Sequence, residues 1–247
     1  MKELLENTGP GTYTEGMPWN PVEQVIFNRR SIRSFKEEPI PDAMIRRILE
    51  AGRFAPSAGN FQPWRFIVIK DKKILTEMEK DAVRFIKLLM FFLDYTKGGF
   101  LRRLLVKPIA KIVIRFKPNE FHPVPFGLMS QIAKGQTLVF HNAPTLILML
   151  KDRRGVSNPD IDIGICGQNM VLAAHSLGAG TCWIGLIKVL MYFPKWRKLF
   201  NITYPYQLDV CLALGWQKPK ADGPVPREVQ LVEWFDNGTI RIEKQGE

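Results

Sequence analysis

Apolar positions along this chain change their spacing several times, and each change predicts an element. Asn20-Pro21-Val22-Glu23 reads as a helix start: Asn20 caps, Pro21 fits the first helical position, and Glu23 stands three after the cap. Val22, Val25, Ile26 and Arg29 follow at helical spacing, so a short one-sided helix delivers the chain into Arg29-Arg30-Ser31-Ile32-Arg33. A second helix is predicted over about 42–54, with Ile45, Ile48, Leu49 and Gly52 on one face. It runs into the turn formers Ala55-Pro56-Ser57-Ala58-Gly59-Asn60. A buried strand over 64–69 and a polar helix near 71–82 come next. Residues 83–117 interleave apolar and basic side chains and read as two or three short helices, with Gly98-Gly99 and Pro108 as breaks. A helix over about 126–140, a buried strand over 145–150 and a charged loop to Pro159 follow. The helix predicted over 160–177 has almost no polar face, so it must lie centrally or against another subunit. Gly178 and Gly180 end it. Strands over 181–185, 208–214 and 239–242, with a helix running toward Leu199, complete the pattern. With no repeat and no break in composition, the expectation is one α+β domain over 1–247, with residues 1–19 as an irregular arm.

Three short stretches can carry chemistry. Arg29, Arg30, Ser31 and Arg33 put three guanidinium groups and a hydroxyl within five residues, and arginine offers phosphate a planar fork of donors. An extended segment would project 29, 31 and 33 on one face. The plain alternative is a solvated basic turn. In Pro56-Ser57-Ala58-Gly59-Asn60-Phe61-Gln62-Pro63, Gly59 permits positive φ and Pro63 favours an extended Gln62. The amides of Asn60 and Gln62 each offer a donor and an acceptor, as recognition of a heteroaromatic edge requires; an ordinary polar loop is the alternative. Thr181-Cys182-Trp183-Ile184-Gly185 can set a flat apolar side chain and a backbone N–H against a ring, or can simply be a core strand. Gly178-Ala179-Gly180 does not complete a dinucleotide fingerprint.

Charge adds a second theme. The net charge is +11, which implies attraction to something anionic. From Arg84 to Lys117 there are nine Lys/Arg against the single acid Asp94, a net of +8, so the other residues together carry only +3. No usual nucleic-acid motif accompanies this charge, and nucleic acid is not an expected partner. Cys166, Cys182 and Cys211 lack CxxC spacing and the three histidines are far apart, so no metal centre is expected. The scattered thiols, and an opening MKELLENTGPG without an apolar leader stretch, predict a reducing, cytoplasmic setting.

The order of these pieces resembles the FMN-dependent nitroreductase-like family. The matching segments are RRSIRSF with the following PIP and helix, APSAGNFQPWRFIVI, NAPTLIL, DIGICGQNMVLAAHSLGAGTCWIG, LALGW and the late PVPRE, spanning residues 28–228. The resemblance implies a mixed central sheet flanked by helices, an intertwined homodimer, and two FMN sites at the subunit interface. It implies that Arg29 and Ser31 hold the FMN phosphate with Arg30 nearby, and that Arg227 returns to it. Arg33 would lie toward the N1/C2 carbonyl region, where a fixed cation favours the reduced flavin. Pro56, Ser57, Asn60 and Gln62 would approach the flavin from the partner subunit. Trp183, Ile184 and Gly185 would lie by the isoalloxazine, with the Gly185 N–H toward N5. The implied activity is transfer of hydride from NAD(P)H through the flavin to an acceptor such as a nitroaromatic or quinone, with no side chain acting as acid–base catalyst. The stretch 83–125 lies outside the resemblance. It reads as a lid over the flavin, as a dock for an acidic electron donor such as ferredoxin or flavodoxin, as an amphipathic segment on an anionic membrane surface, or as a plain solvated decoration. The alternatives in function are a flavin reductase fed by such a protein donor and a non-catalytic flavin-binding or membrane-surface interaction protein.

Overall fold

The computed structural model describes residues 18–93, 99–116, 123–219, 227 and 230–245. Most of the predicted N-terminal arm, all of PVPRE except Arg227, and parts of the 83–125 stretch lie outside the described residues. The chain opens with α1 (Pro21–Asn28), capped as its sequence predicts: Asn20 Oδ1 accepts from the amides of Val22 and Glu23, and Glu23 Oε2 accepts from the Asn20 amide at 2.8 Å. Then come α2 (Asp42–Arg53), β1 (Trp64–Ile69), α3 (Lys72–Leu93), α4 (Phe100–Phe116) and α5 (Pro123–Ala133). The second half holds β2 (Thr145–Asp152), α6 (Pro159–Ser176), β3 (Gly180–Ile184), a 3-10 segment Gly185–Tyr192, α7 (Pro194–Leu199), β4 (Tyr206–Gly215), β5 (Gln230–Asp236) and β6 (Thr239–Gln245).

Four strands form the central sheet in the order β1-β2-β4-β3, each neighbouring pair antiparallel. A parallel element comes from the arginine segment, where Ser31 bridges Thr181 on the edge strand β3. Alternation along β2 explains its unbroken apolar run. Leu146, Leu148 and Leu150 join the core under α3, α5 and the 3-10 segment, whereas Ile147 and Met149 join the core under α2 and α6. A strand covered on both faces has no polar side to show.

Several elements differ from the sequence expectation. The helix predicted to stop near residue 82 continues to Leu93, because Met78, Ala82, Ile86, Met90 and Leu93 keep one buried stripe. Asp81 is buried on that helix and is satisfied by the Trp196 indole N–H at 3.0 Å and Lys195 Nζ at 2.7 Å. Pro108 sits inside α4 rather than breaking it; Val106 beside it is buried and holds that turn. The helix expected to reach residue 140 ends at Ala133, where Gly135 takes φ +73° and the Gln136 amide reaches back to Gln131 O. The strand expected alone at 239–242 belongs to the hairpin β5–β6, turned by Asn237 (φ 49°) and Gly238 (φ 76°), a pair suited to a type I′ turn.

Two glycines let α6 sit close to its neighbours. A Cβ on Gly52 of α2 would stand 2.7 Å from Met170 Cγ, and one on Gly167 would stand 2.1 Å from Trp183 Cη2. The Trp183 indole therefore packs across Gly167 of α6. Gly167→Ala is expected to destabilise the fold by about 1–3 kcal/mol by overpacking; a thermal melt unchanged from wild type, with Trp183 fluorescence also unchanged, would contradict this packing.

Candidate functional site

The arginine segment is held from both sides by backbone hydrogen bonds. The Ile32 amide donates to Thr181 O at 2.8 Å, the Lys36 amide to Trp216 O at 2.8 Å, and the Lys218 amide to Ser34 O at 3.1 Å. Ile32 and Phe35 turn into the core, and Gly180 makes room for Ile32. Residues 29, 31 and 33 are left on the outer side of the segment, as an extended chain requires. Ile32 and Phe35 are the apolar positions that specify this register.

Arg29, Arg30 and Arg227 converge, although nearly two hundred residues separate the first from the last. Arg29 is half-buried, and burial together with the positive charges of Arg227 and Arg30 pushes its guanidinium below the ordinary arginine range. Arg30 Nη1 donates to Phe27 O at 2.5 Å and to Arg29 O at 3.0 Å, which fixes its guanidinium against the end of α1. Among the described residues no carboxylate pairs with any of the three. His175, in the last turn of α6, feels the same field: burial first, then Arg29 and Arg30, hold its imidazole below the ordinary value. A cluster of cations without a counter-charge, on a segment pinned by backbone bonds, is chemically a seat for an anion.

Arg33 faces a different neighbourhood from Arg29. It lines a small cavity of about 170 Å³ with Thr137, Leu138, His141, Asn142 and Lys218. His141 (φ 55°) and Asn142 (φ 53°) both lie in the left-handed region, a conformation that the surrounding structure must impose.

The Pro56–Gln62 loop is rigid for local reasons. Gly59 (φ 59°), Asn60 (φ 52°) and Gln62 (φ 53°) are all left-handed. The extended Gln62 expected from the following proline is therefore corrected: its amide donates to Ser57 Oγ at 2.9 Å, and that bond curls the loop back. Gln62 Nε2 donates to Asn60 Oδ1 at 3.0 Å. This leaves Asn60 Nδ2 as a donor and Gln62 Oε1 as an acceptor, a mixed pair of the kind that reads a heteroaromatic edge. The Ala58 amide donates to Oδ1 of the buried Asp162 at 3.3 Å, tying the loop to the first turn of α6. Asp162 Oδ2 is buried and has no partner among the described residues.

The third stretch ends at Gly185, where a Cβ would meet nothing within 4 Å. Gly185 borders a cavity of about 1400 Å³ whose wall includes Phe85 and Leu89 of α3, Met129 of α5 and Tyr192. As the first residue of a 3-10 turn, its amide has no acceptor within the turn. Trp183 is spent on packing against α6, so the backbone at Ile184 and Gly185 is what this edge offers. The cysteines offer no nucleophile: all three are buried, and burial alone pushes the Cys166 thiol up to about 12.

The arginine segment meets the third stretch at Thr181, but the Pro56–Gln62 loop does not meet the arginines within one chain. The loop is tied to Asp162 and the arginines lie by His175, thirteen residues further along α6, which is about 20 Å of helix. Sequence reasoning missed Asp162, His175, His141, Asn142 and Lys218. The readable signal was for Asp162 and His175 alone, as ionisable residues in an otherwise apolar helix.

A family model described as the Nitroreductase family matches residues 26–216. An Archaeoglobus fulgidus protein with the provisional name NADH dehydrogenase/NAD(P)H nitroreductase is 27% identical over 199 residues, 81% of this chain and 87% of that protein. The chloronitrobenzene nitroreductase of Comamonas testosteroni is 26% identical over 213 residues, covering 81% of this chain and 88% of the relative. Among solved structures, a nitroreductase with bound FMN from Desulfitobacterium hafniense superimposes with a TM-score of 0.63 at 23% identity, covering 85% of this chain and 96% of that one.

The neighbouring guanidinium groups make a prediction that is independent of any ligand. The His175 ring should titrate below the ordinary histidine value of about 6.5, and Arg29→Gln should raise it by removing one nearby positive charge. A folded-state value below the unfolded one means that acidification favours the unfolded chain, so stability falls as the pH drops from the unfolded value to the folded one and levels off below that. Titration of the His175 Cε1–H resonance by NMR checks both statements; an unchanged value in Arg29→Gln would separate the two groups.

Proposed function

This chain belongs to the nitroreductase family, and on that premise we propose that it is an FMN-dependent oxidoreductase acting as a homodimer. The observation that carries the proposal is the convergence of Arg29, Arg30 and Arg227 with no carboxylate paired to them among the described residues. A phosphate monoester fits this seat: Arg29 and Arg227 neutralise it, Arg30 adds positive charge beside it, and the Ser31 hydroxyl adds a donor from the same outer face. Arg33 would balance negative charge at the N1/C2 carbonyl end of the ring. Gly185 would offer its amide to N5, with Trp183 and Ile184 beside it. FMN held there would supply the hydride chemistry between NAD(P)H and an acceptor such as a nitroaromatic or quinone. The cavity bordered by Gly185 is roomy enough for nicotinamide and acceptor to occupy in turn.

The second half of each site comes from the other protomer. Pro56 and Ser57 shape the loop, and Asn60 and Gln62 present its donor and acceptor to the ring edge. Two features support this division. In one chain the loop and the arginines lie at opposite ends of α6, and an antiparallel pair of α6 helices about a two-fold axis brings each loop to the other chain's arginines. Ile161, Gly164, Ile165 and Gln168 of α6 form an exposed, largely apolar stripe that such pairing covers. The β5–β6 hairpin leaves Leu231, Trp234, Phe235, Ile240 and Ile242 exposed, and a two-stranded hairpin with that surface needs a second chain to cover it. Three buried cysteines outside any disulfide suit a reducing cytoplasm.

The purified protein should retain FMN through dialysis and oxidise NAD(P)H with menadione or nitrofurazone as acceptor. Arg29→Ala should lose most of its flavin; loss of a charge-assisted contact at about 1.5–3 kcal/mol corresponds to roughly a 10- to 150-fold weaker Kd. Undiminished flavin in that variant would reject the phosphate seat. Retained FMN that neither nicotinamide reduces would reject the NAD(P)H-linked reaction, and reduction by ferredoxin alone would replace the donor. Ile165→Glu should give a monomer by light scattering that also loses FMN, because the division of the site between protomers makes the two losses inseparable.

A further inference from the structure

We propose that α3 and α4 hold this protein on the surface of an anionic lipid bilayer. The two helices pack against each other; Ile86 and Met90 commit the inner side of α3 to the core, and Leu93 of α3 and Val106 of α4 are buried. Their outer sides are not committed. Leu88, Phe91 and Phe92 of α3 and Phe100, Leu104, Leu105 and Ile112 of α4 all remain exposed, Phe100 at 79% and Leu105 at 69%. Arg84 and Lys87 of α3 and Arg103, Lys107, Lys111 and Arg115 of α4 are exposed among them. None of these six cations has an acidic partner among the described residues. The single acid between Arg84 and Lys117 is Asp94.

This combination selects a lipid surface over an acidic protein. A protein interface gathers its apolar side chains in a dry centre and moves charge to the rim. Here cations and large apolar residues alternate along the same helix. A bilayer interface accepts that arrangement: phenylalanine and leucine enter the acyl boundary, while lysine and arginine stems extend along the apolar surface and raise their charges to lipid phosphates. The near absence of acids leaves little to repel those phosphates. No helix among the described residues is long and apolar enough to cross a membrane, so the contact lies in the interface plane. On the flank next to this exposed face, α3 sends Phe85 and Leu89 into the wall of the large cavity.

Flotation of the full-length protein with vesicles tests this, and the readout does not involve flavin. The protein should float with vesicles of phosphatidylcholine mixed with phosphatidylglycerol, and far less with phosphatidylcholine alone. Replacing Arg103, Lys107, Lys111 and Arg115 together by Gln should weaken partitioning by about fivefold per cation removed, roughly several hundredfold in all. Leu104→Ser with Leu105→Ser should weaken it again without altering the melting temperature, because both side chains are exposed. Failure to float with the mixed vesicles at low salt would overturn the proposal, as would flotation that neither set of substitutions reduces. A change in sedimentation coefficient caused by the Leu104 and Leu105 substitutions, with vesicle binding intact, would assign the face to a second copy of the chain and also overturn it. Binding to ferredoxin that the four Gln substitutions abolish, without vesicle binding, would do so in favour of an acidic protein.

Discussion

The architecture turns on three guanidinium groups that cannot discharge. Arginine stays protonated in any folded protein, so Arg29, Arg30 and Arg227 repel one another for as long as no anion lies between them. Arg29 is also partly withdrawn from water, and water is the one medium that would screen the repulsion cheaply. The fold tolerates this because the segment is fixed by backbone hydrogen bonds on both flanks and by Ile32 and Phe35 in the core. Side-chain repulsion cannot move it. A phosphate converts the same electrostatic cost into binding energy, which is why the arrangement makes sense as a cofactor seat and little sense as a device for stability.

The helix α6 links that seat to the rest of the molecule. Its first turn holds the Ser57–Gln62 loop through Asp162, its last turn carries His175 beside the arginines, and its middle is filled by Met170, Cys166 and the Trp183 indole at positions where only glycine neighbours fit. An element packed this tightly transmits position. A shift at Gly167 moves Trp183, hence the strand that ends at Gly185. The same helix leaves one apolar stripe uncovered, and the dimer proposed for that stripe would make α6 the common floor of two sites. Rigidity here serves placement, which is the protein's share of the work when a flavin performs the redox chemistry.

Helix α3 stands in a comparable position for the insert. Its buried stripe and the Asp81–Trp196–Lys195 contact anchor it to the body, its inner aromatic and aliphatic side chains wall the large cavity, and its outer face continues into the basic, apolar surface of α4. A lid and a membrane-docking surface are thus compatible demands on one element, since they use different side chains on adjacent faces.

Much of this was legible in the chain itself. The α1 capping box, the all-apolar β2 and the nearly faceless α6 follow from local rules of cap geometry and alternation, and the proposed phosphate seat at Arg29-Arg30-Ser31-Ile32-Arg33 rests on the fit of guanidinium to phosphate. Membership in the nitroreductase family was readable from motif order. Local rules failed where distant residues decided the outcome. The stop of α3 depended on a buried stripe supplied by partners far along the chain. Gln62 failed for a local reason instead, because Ser57 Oγ five residues back captured its amide. The roles of Asp162 and His175 came from what α6 brings to its two ends. The meeting of Arg29 with Arg227 was decided by tertiary structure alone, because a sequence states which charges exist, whereas the packing of the backbone sets the distances between them, and electrostatic energy depends on those distances.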